Sequence, residues 1–142
     1  MLRNEVDERS PLRVLDASID GGVRAGQLGV VLARAGVGKT AFLVQVGLDA
    51  VLRDQRVLHV AVDMAVDQVR TWYDELFSDL AQGSSAEERA ATLLLLERNR
   101  IIQSYTPESF TSDRLGQVVN VLQEHCAFDP DVILVDGFAW EG

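Results

Sequence analysis

Cysteine is nearly absent from this chain, and its scarcity excludes several classes of protein. Cys126 is the only cysteine among 142 residues. The sequence therefore supports neither a disulfide framework nor a cysteine-rich zinc cluster. We interpret Cys126 as a small residue at a helix end, and the lack of disulfides fits a reducing cytoplasm.

Long apolar runs are missing as well. No stretch approaches the roughly 20 apolar residues that a membrane-spanning helix needs. The opening segment Met1–Glu5 contains the charged residues Arg3 and Glu5, so it does not begin a signal peptide. We expect a protein with no membrane partner.

Positive charge is scarce, with 13 basic against 22 acidic residues and a formal net charge of −9. Such a balance argues against nucleic-acid binding through the general surface, because the phosphate backbone attracts basic proteins. A few local basic contacts stay open. Arg89, Arg98 and Arg100 lie close in sequence, but glutamates are interspersed among them. We interpret this segment as a solvated helix face of mixed charge.

The remaining composition is that of an ordinary globular domain. Apolar residues make up 47% of the chain and charged residues 25%, and the length suits one domain with a substantial core. Residues 1–13 are charged and show no periodicity, so we predict a loose N-terminal arm. Residues 14–142 are predicted to form the core domain.

Apolar periodicity in the core domain predicts strands that alternate with helices. Apolar runs of strand length occur at 28–32, 56–62 and 132–135, and residues 101–105 are predicted to form a further short strand. Apolar residues at helical spacing fill the intervals: 41–53, 66–80, 85–98 and onward from 112. Either Ser84 or Ser85 is expected to cap the third helix. This alternation predicts an α/β domain with a mainly parallel sheet and right-handed crossovers.

The segment Ala33–Thr40, ARAGVGKT, lies between the first predicted strand and the first predicted helix. It fits the phosphate-binding P-loop pattern, also called Walker A, except that Ala33 replaces the first glycine. An incidental glycine-rich turn is the alternative. The position between a strand and a helix favours the P-loop, and the sequence therefore predicts a nucleotide-binding protein.

Each position of this loop has a predicted role. The residues expected to bind the nucleotide phosphates are Ala33, Arg34, Ala35, Gly36, Val37, Gly38, Lys39 and Thr40. Their backbone N–H groups surround the β-phosphate at the positive end of the helix dipole. Glycine at 36 and 38 leaves room for a close phosphate approach. Lys39 is expected to reach the β- and γ-phosphate oxygens, and the Thr40 hydroxyl to ligate Mg²⁺.

Aspartates follow two of the predicted strands, at the edge where ligands of parallel sheets bind. Asp136 has the position of a Walker B aspartate, which holds Mg²⁺ through water; the alternative is a turn-forming aspartate. Asp63 either orients the water that attacks the γ-phosphate or caps the following helix. Asp67 is expected to be an acidic residue in the first turn of that helix.

Other side chains have less specific interpretations. His59 lies in the middle of a strand, and we expect a packed core histidine. Trp72 and Tyr73 lie on a predicted helix and belong to the core, or to an interface if exposed. Trp140 lies near the carboxyl edge of the sheet, where stacking on adenine is a minor alternative.

Three linked motifs make the chain resemble RecA-like ATPases of the KaiC and DnaB type. They are Leu15-Asp16, Gly21-Gly22-Val23 and Gly26-Gln27-Leu28 leading into the P-loop; Val62-Asp63-Met64-Ala65-Val66-Asp67-Gln68-Val69; and Ile133-Leu134-Val135-Asp136-Gly137-Phe138. Together they cover roughly residues 14–142 in order.

The resemblance implies a three-layer P-loop NTPase (RecA-like) fold that binds ATP with Mg²⁺. By resemblance, Lys39 and Thr40 take the phosphate and Mg²⁺ roles, and Asp136 takes the Walker B role. Asp63 takes the place of the catalytic glutamate, so the implied catalytic residues are Asp63 and Lys39. A homo-oligomer is also implied, with an arginine finger supplied by a neighbouring subunit or by a further segment.

Two departures from the family pattern affect the expected activity. Asp63 is one methylene shorter than glutamate, and a misplacement of about 1 Å can cost on the order of a hundredfold in rate. Slow hydrolysis, or binding without useful hydrolysis, is therefore expected. The sequence also stops at Gly142, before the family's later strands and DNA-contacting loops, so we expect a fragment of a longer protein.

The favoured function is an ATPase module that acts as an oligomeric switch or motor, with ATP and ADP as ligands. The alternative is a nucleotide-sensing module with little or no turnover. A P-loop kinase for small molecules is less favoured, because no arginine-rich lid segment is evident. A DNA helicase or recombinase fragment is disfavoured by the acidic charge.

Overall fold

Four helices and three strands make up residues 39–137, the part of the chain that the structure, a computed structural model, describes. In chain order they are α1 (Lys39–Leu52), β1 (Val57–Val62), α2 (Val66–Leu80), α3 (Ala86–Asn99), β2 (Arg100–Tyr105), α4 (Ser112–His125) and β3 (Val132–Asp136). The predicted alternation is confirmed for all of them, and the boundaries agree to within two residues. The predicted arm at 1–13 and strand at 28–32 lie outside the described residues.

The three strands form one parallel sheet in the order β2–β1–β3. All residues of the central strand β1 are buried. Burial on both faces accounts for its uninterrupted apolar sequence, because such a strand has no solvent-facing positions. In the register, Val57 pairs with Arg100 and Val132, and Ala61 pairs with Asp136. The carboxyl ends of all three strands therefore meet at one edge of the sheet.

Helices cover both faces of this sheet. On one face, α1, α2 and α3 bury a cluster that includes Val44, Leu48, Val51, Val57, Ala61, Val69, Tyr73, Phe77, Leu96 and Leu134. On the other face, α4 covers a cluster that includes Leu58, Val60, Val62, Phe110, Leu122 and Phe128. The three layers confirm the predicted α/β fold class, and the alternate residues of β1 supply both clusters because a strand points successive side chains to opposite faces.

Local hydrogen bonds explain where the helices begin. The Oγ of Ser85 accepts the backbone N–H of Glu88 at 3.1 Å, so Ser85 rather than Ser84 caps α3. Thr111 caps α4 in the same way. The N-cap of α2 is Ala65, whose N–H donates to Oε1 of Gln68 at 3.0 Å. No helix within residues 39–137 is long and apolar enough to span a membrane.

A small group of polar side chains is buried under α1 and α2. His59 and Tyr73 are both 0% exposed, and Nδ1 of His59 lies 2.8 Å from the Tyr73 hydroxyl. Arg100 lies with its guanidinium carbon 4.9 Å from the centre of the Tyr73 ring, and its Nη2 is 3.2 Å from Oε1 of Glu97. The predicted core histidine is thus confirmed.

One sequence interpretation is wrong in part. Arg100 does not belong to a solvated helix face: its side chain is only 2% exposed, because it begins β2 and shares the helix-covered face with its neighbour Val57. Arg89 and Arg98 are exposed, as expected. Tyr73 belongs to the core, as predicted, whereas Trp72 is 42% exposed on α2, so the interface alternative stays open for it.

The buried His59 makes stability depend on pH. Burial lowers the pKa of His59 to about 4, with the Asp136 charge opposing this shift and the Arg100 charge adding to it. The unfolded chain binds this proton near pH 6.5, whereas the folded chain does not. Titration of His59 therefore leaves the free energy of unfolding unchanged above about pH 6.5 and lowers it on acidification. Between about pH 7 and pH 5 we expect this one group to remove about 2 kcal/mol from the free energy of unfolding.

Denaturant unfolding of the wild type and of His59→Gln at both pH values measures this effect. His59→Gln is expected to be less stable at neutral pH but to lose less stability on acidification. An equal loss in both proteins would show that His59 does not titrate in this range.

Candidate functional site

The edge where the strands end also receives the first turn of α1. β1 ends at Val62, β2 at Tyr105 and β3 at Asp136, and the parallel pairing puts these ends side by side. α1 begins at Lys39 and packs against both β1 and β3. Residues 96 positions apart in the chain are thereby brought into contact.

That contact is a hydrogen bond between Thr40 and Asp136. The Thr40 hydroxyl donates to Oδ2 of Asp136 at 2.8 Å. Asp136 is only 7% exposed although it is the last residue of a strand, and Thr40 is half-buried. A buried carboxylate needs a hydrogen-bond donor or a cation nearby, because removing a charge from water is unfavourable. The Thr40 hydroxyl supplies one such donor.

The oxygen atoms of this pair fit a magnesium site. Mg²⁺ prefers hard oxygen ligands, and proteins usually hold it with one or two side chains while water and substrate phosphates complete the shell. Thr40 and Asp136 offer a hydroxyl and a carboxylate oxygen together. Among the described residues, no group of three or more His, Cys, Asp or Glu side chains converges on a point. The donors present therefore suit Mg²⁺ shared with a phosphate better than an all-protein metal cage.

The first turn of α1 also suits an anion. It contains no acidic residue, so nothing there opposes the positive end of the helix dipole. Lys39, the first residue of the helix, is exposed and is the only lysine of the chain. The other predicted phosphate-binding residues, Ala33, Arg34, Ala35, Gly36, Val37 and Gly38, lie outside the described residues, as does Trp140.

Asp63 directly follows β1 in a left-handed backbone conformation, with φ of 63°. Its N–H donates to the carbonyl of Tyr105 at 2.8 Å, and the Ser104 hydroxyl donates to the carbonyl of Met64 at 2.5 Å. These bonds tie the segment after β1 to the end of β2. The Asp63 side chain is exposed, and since Ala65 is the N-cap of α2, the helix-capping alternative for Asp63 is wrong. Asp67 lies in the first turn, as predicted.

Gly137, to which the sequence analysis assigns no separate role, lies against the end of β1 directly after Asp136. Its φ is 87°, and a Cβ at this position would collide with the carbonyl oxygen of Val62. Position 137 can therefore lie this close to the end of β1 only as glycine. Asp63, which follows β1, and Asp136, which ends β3, lie at the same edge because the two strands pair in parallel. The available sequence signal was a glycine directly after a strand-ending aspartate.

The sequence profile of a family described as "AAA domain" matches residues 3–140, which is nearly the whole chain. No curated protein matches the chain.

The left-handed conformation of Asp63 predicts an unusual stability effect. Glycine adopts this conformation without the Cβ clash that other residues incur, so Asp63→Gly should raise the free energy of unfolding by about 0.5–1 kcal/mol. Ala127, with φ of 51° and far from Asp63 in sequence, provides a matched control. Ala127→Gly is expected to stabilise by a similar amount. Urea unfolding without nucleotide measures both, and destabilisation by Asp63→Gly alone would mean that the carboxylate stabilises the fold.

Proposed function

The chain belongs to the AAA domain family and is a nucleotide-binding P-loop ATPase module, and from this premise we propose that it binds Mg²⁺·ATP at the Thr40–Asp136 edge and hydrolyses it slowly. In this proposal, hydrolysis drives a switch or motor within a homo-oligomer of the KaiC or DnaB type. Residues 14–142 form the nucleotide-binding core.

One observation carries the proposal: the 2.8 Å hydrogen bond between Thr40 and Asp136. The P-loop pattern and the Walker B pattern are independent features of the sequence, and each assigns one of these residues to Mg²⁺. Their contact supports both assignments at once. Thr40 would hold Mg²⁺ through its hydroxyl, and Asp136 would hold it through water. When bound, Mg²⁺ neutralises negative charge on the phosphate oxygens.

Lys39 supplies the positive charge for the phosphates. Its position as the first residue of α1 and its exposed ammonium suit contact with β- and γ-phosphate oxygens. The backbone N–H groups of 33–38 complete the phosphate site. In this role Lys39 orients the terminal phosphate and stabilises charge that develops on it during transfer to water.

Asp63 acts on the attacking water. Its exposed carboxylate stands at the strand end next to Asp136, where it can accept a hydrogen bond from water and orient it toward the γ-phosphate. The short side chain holds that water less well than glutamate would, so turnover is slow. An arginine from a neighbouring subunit supplies the remaining charge stabilisation, and full activity therefore needs assembly.

A nucleotide-sensing module with little or no turnover is the second candidate. The exposure of Asp63 favours it, because a water-orienting carboxylate works best when bulk water is excluded from the site. In this case the bound nucleotide would change the protein's interactions without being consumed.

The binding part of the proposal is tested with Lys39→Ala. Loss of the charge-assisted hydrogen bonds to phosphate should weaken Mg²⁺·ATP binding by about 10- to 100-fold. Arg114→Ala, which removes one exposed positive charge in the first turns of α4, is the matched control and should bind normally. Calorimetric titration measures all three proteins. Equal affinity of the wild type and Lys39→Ala would contradict the phosphate role of Lys39.

The hydrolysis part is tested at Asp63. Asp63→Asn should abolish phosphate release, whereas Asp63→Glu should raise it by about tenfold or more because it extends the carboxylate toward the water. Binding of Mg²⁺·ATP should stay within about threefold in both variants, since neither change touches the phosphate contacts. Undiminished turnover in Asp63→Asn would overturn the assignment. No turnover in any variant, with normal binding, would favour the sensing module.

A further inference from the structure

The face of α1 that carries Thr40 lies directly on the sheet. Thr40, Val44, Gly47 and Val51 recur at intervals of three and four residues and so form one stripe along the helix. Val44 and Val51 are 0% exposed, and Gly47 is buried between them. The distance between this face of α1 and the sheet determines how far the Thr40 hydroxyl lies from Asp136.

Gly47 is where α1 approaches its neighbours most closely. A Cβ at this position would overlap the Tyr73 hydroxyl and would lie 3.0 Å from Cζ of Tyr73 and 3.1 Å from Cδ1 of Leu134. The helix can therefore keep its present depth only with glycine. Glycine inside a helix is less favourable than alanine, so a packing reason is expected where it occurs. Leu134 also precedes Asp136 by two residues and shares its sheet face.

The Tyr73 hydroxyl that faces Gly47 is held in place. Nδ1 of His59 lies 2.8 Å from it, and the two rings meet edge to face with centres 5.6 Å apart. Burial raises the pKa of Tyr73 and lowers that of His59, so near neutral pH the hydroxyl keeps its proton and the imidazole is uncharged. Arg100 covers the ring at 4.9 Å. With these contacts the hydroxyl has a fixed position between α1 and β1.

The hydroxyl thus lies close to the helix that carries Thr40 and to the strand that carries Asp136. Gly47 follows Thr40 by seven residues, about 10 Å along a rigid helix. The register puts His59 of β1 opposite Leu134 of β3, one pleat below the Ala61–Asp136 pair. Any change in the spacing between α1 and these strands is therefore transmitted to the hydrogen bond between Thr40 and Asp136.

We propose that Gly47 and the Tyr73 hydroxyl, held by His59, are positioning residues for the Mg²⁺ site. They set the distance between α1 and the strands β1 and β3, and thereby the separation of the Thr40 and Asp136 oxygens. This inference rests on the proposed function, because it concerns the affinity for Mg²⁺ in the nucleotide complex.

Gly47→Ala, Tyr73→Phe and the double variant test the proposal. For each protein, the affinity for ADP is measured in EDTA, without Mg²⁺. A separate sample without EDTA, saturated with ADP, is then titrated with Mg²⁺. Gly47→Ala should raise the Mg²⁺ midpoint by about tenfold, since the added methyl displaces α1, while ADP affinity in EDTA changes by less than about threefold. Adding Tyr73→Phe removes the overlapping oxygen and should restore most of the Mg²⁺ affinity. Without nucleotide, the double variant should melt at a higher temperature than Gly47→Ala. This comparison tests the contact between position 47 and the Tyr73 hydroxyl independently of Mg²⁺.

Gly116 in α4 is the matched control, because it is also a helical glycine but a Cβ there would meet no atom within 4 Å. Gly116→Ala should raise the melting temperature and leave the Mg²⁺ midpoint unchanged. An unchanged Mg²⁺ midpoint in folded Gly47→Ala would overturn the inference and leave the proposed function intact. So would a loss of ADP affinity in EDTA as large as the loss of Mg²⁺ affinity.

Two further outcomes are decisive. If Gly47→Ala does not fold, Tyr73→Phe alone tests the inference. This substitution adds no atom and removes the hydroxyl that fixes the spacing between α1 and the sheet, so the Mg²⁺ midpoint should rise by about threefold. An unchanged midpoint would overturn the inference. A wild-type chain that binds no ADP or ATP at all would overturn the proposed function and this inference with it.

Discussion

The hydrogen bond between Thr40 and Asp136 is the interaction on which the rest of the candidate site depends. It joins the first turn of α1 to the last residue of β3, across 96 positions of sequence. Parallel pairing of β3 with β1 fixes the position of Asp136, and packing of α1 on both strands fixes that of Thr40. The α/β fold therefore serves the site in a specific way, since it brings a hydroxyl and a buried carboxylate together at the edge where phosphates bind such sheets.

Several features near this bond are unfavourable for stability by themselves. Asp136 is almost fully buried, Asp63 has a left-handed backbone, and His59 is held uncharged inside the core. Conformational strain and buried polar groups concentrate at functional sites, where the surrounding structure maintains them. Here the surrounding structure is identifiable: the glycine turn after Asp136, the hydrogen bonds that tie the segment after β1 to β2, and the contact between Tyr73 and α1.

Local features of the sequence predict most of this fold and part of the site. Apolar patterning predicts the described elements, because the helices repeat apolar residues on one face and the central strand β1, buried on both faces, is an uninterrupted apolar run. The P-loop and Walker B motifs predict a shared Mg²⁺ site for Thr40 and Asp136, and the structure brings the two side chains into contact. Sequence does not predict contacts that depend on how a helix lies on a sheet. The sequence places Arg100 on a helix face, but Arg100 begins β2 and its side chain is buried. The contact of Gly47 with Tyr73 has no local signature in the sequence.

The central claim is that nucleotide phosphates bind at the start of α1, and Lys39 gives the most direct test because it is the only lysine of the chain. The measurement is the rate at which an amine-reactive reagent acylates Lys39, followed by the mass of the proteolytic peptide that contains Lys39 so that the N-terminal amine is counted separately, without ligand and with saturating Mg²⁺·ATP. Contact of the ammonium with phosphate should slow the reaction by on the order of tenfold or more, whereas Mg²⁺·AMP, which lacks the β- and γ-phosphates, should have little effect. An unchanged rate with Mg²⁺·ATP would contradict the account.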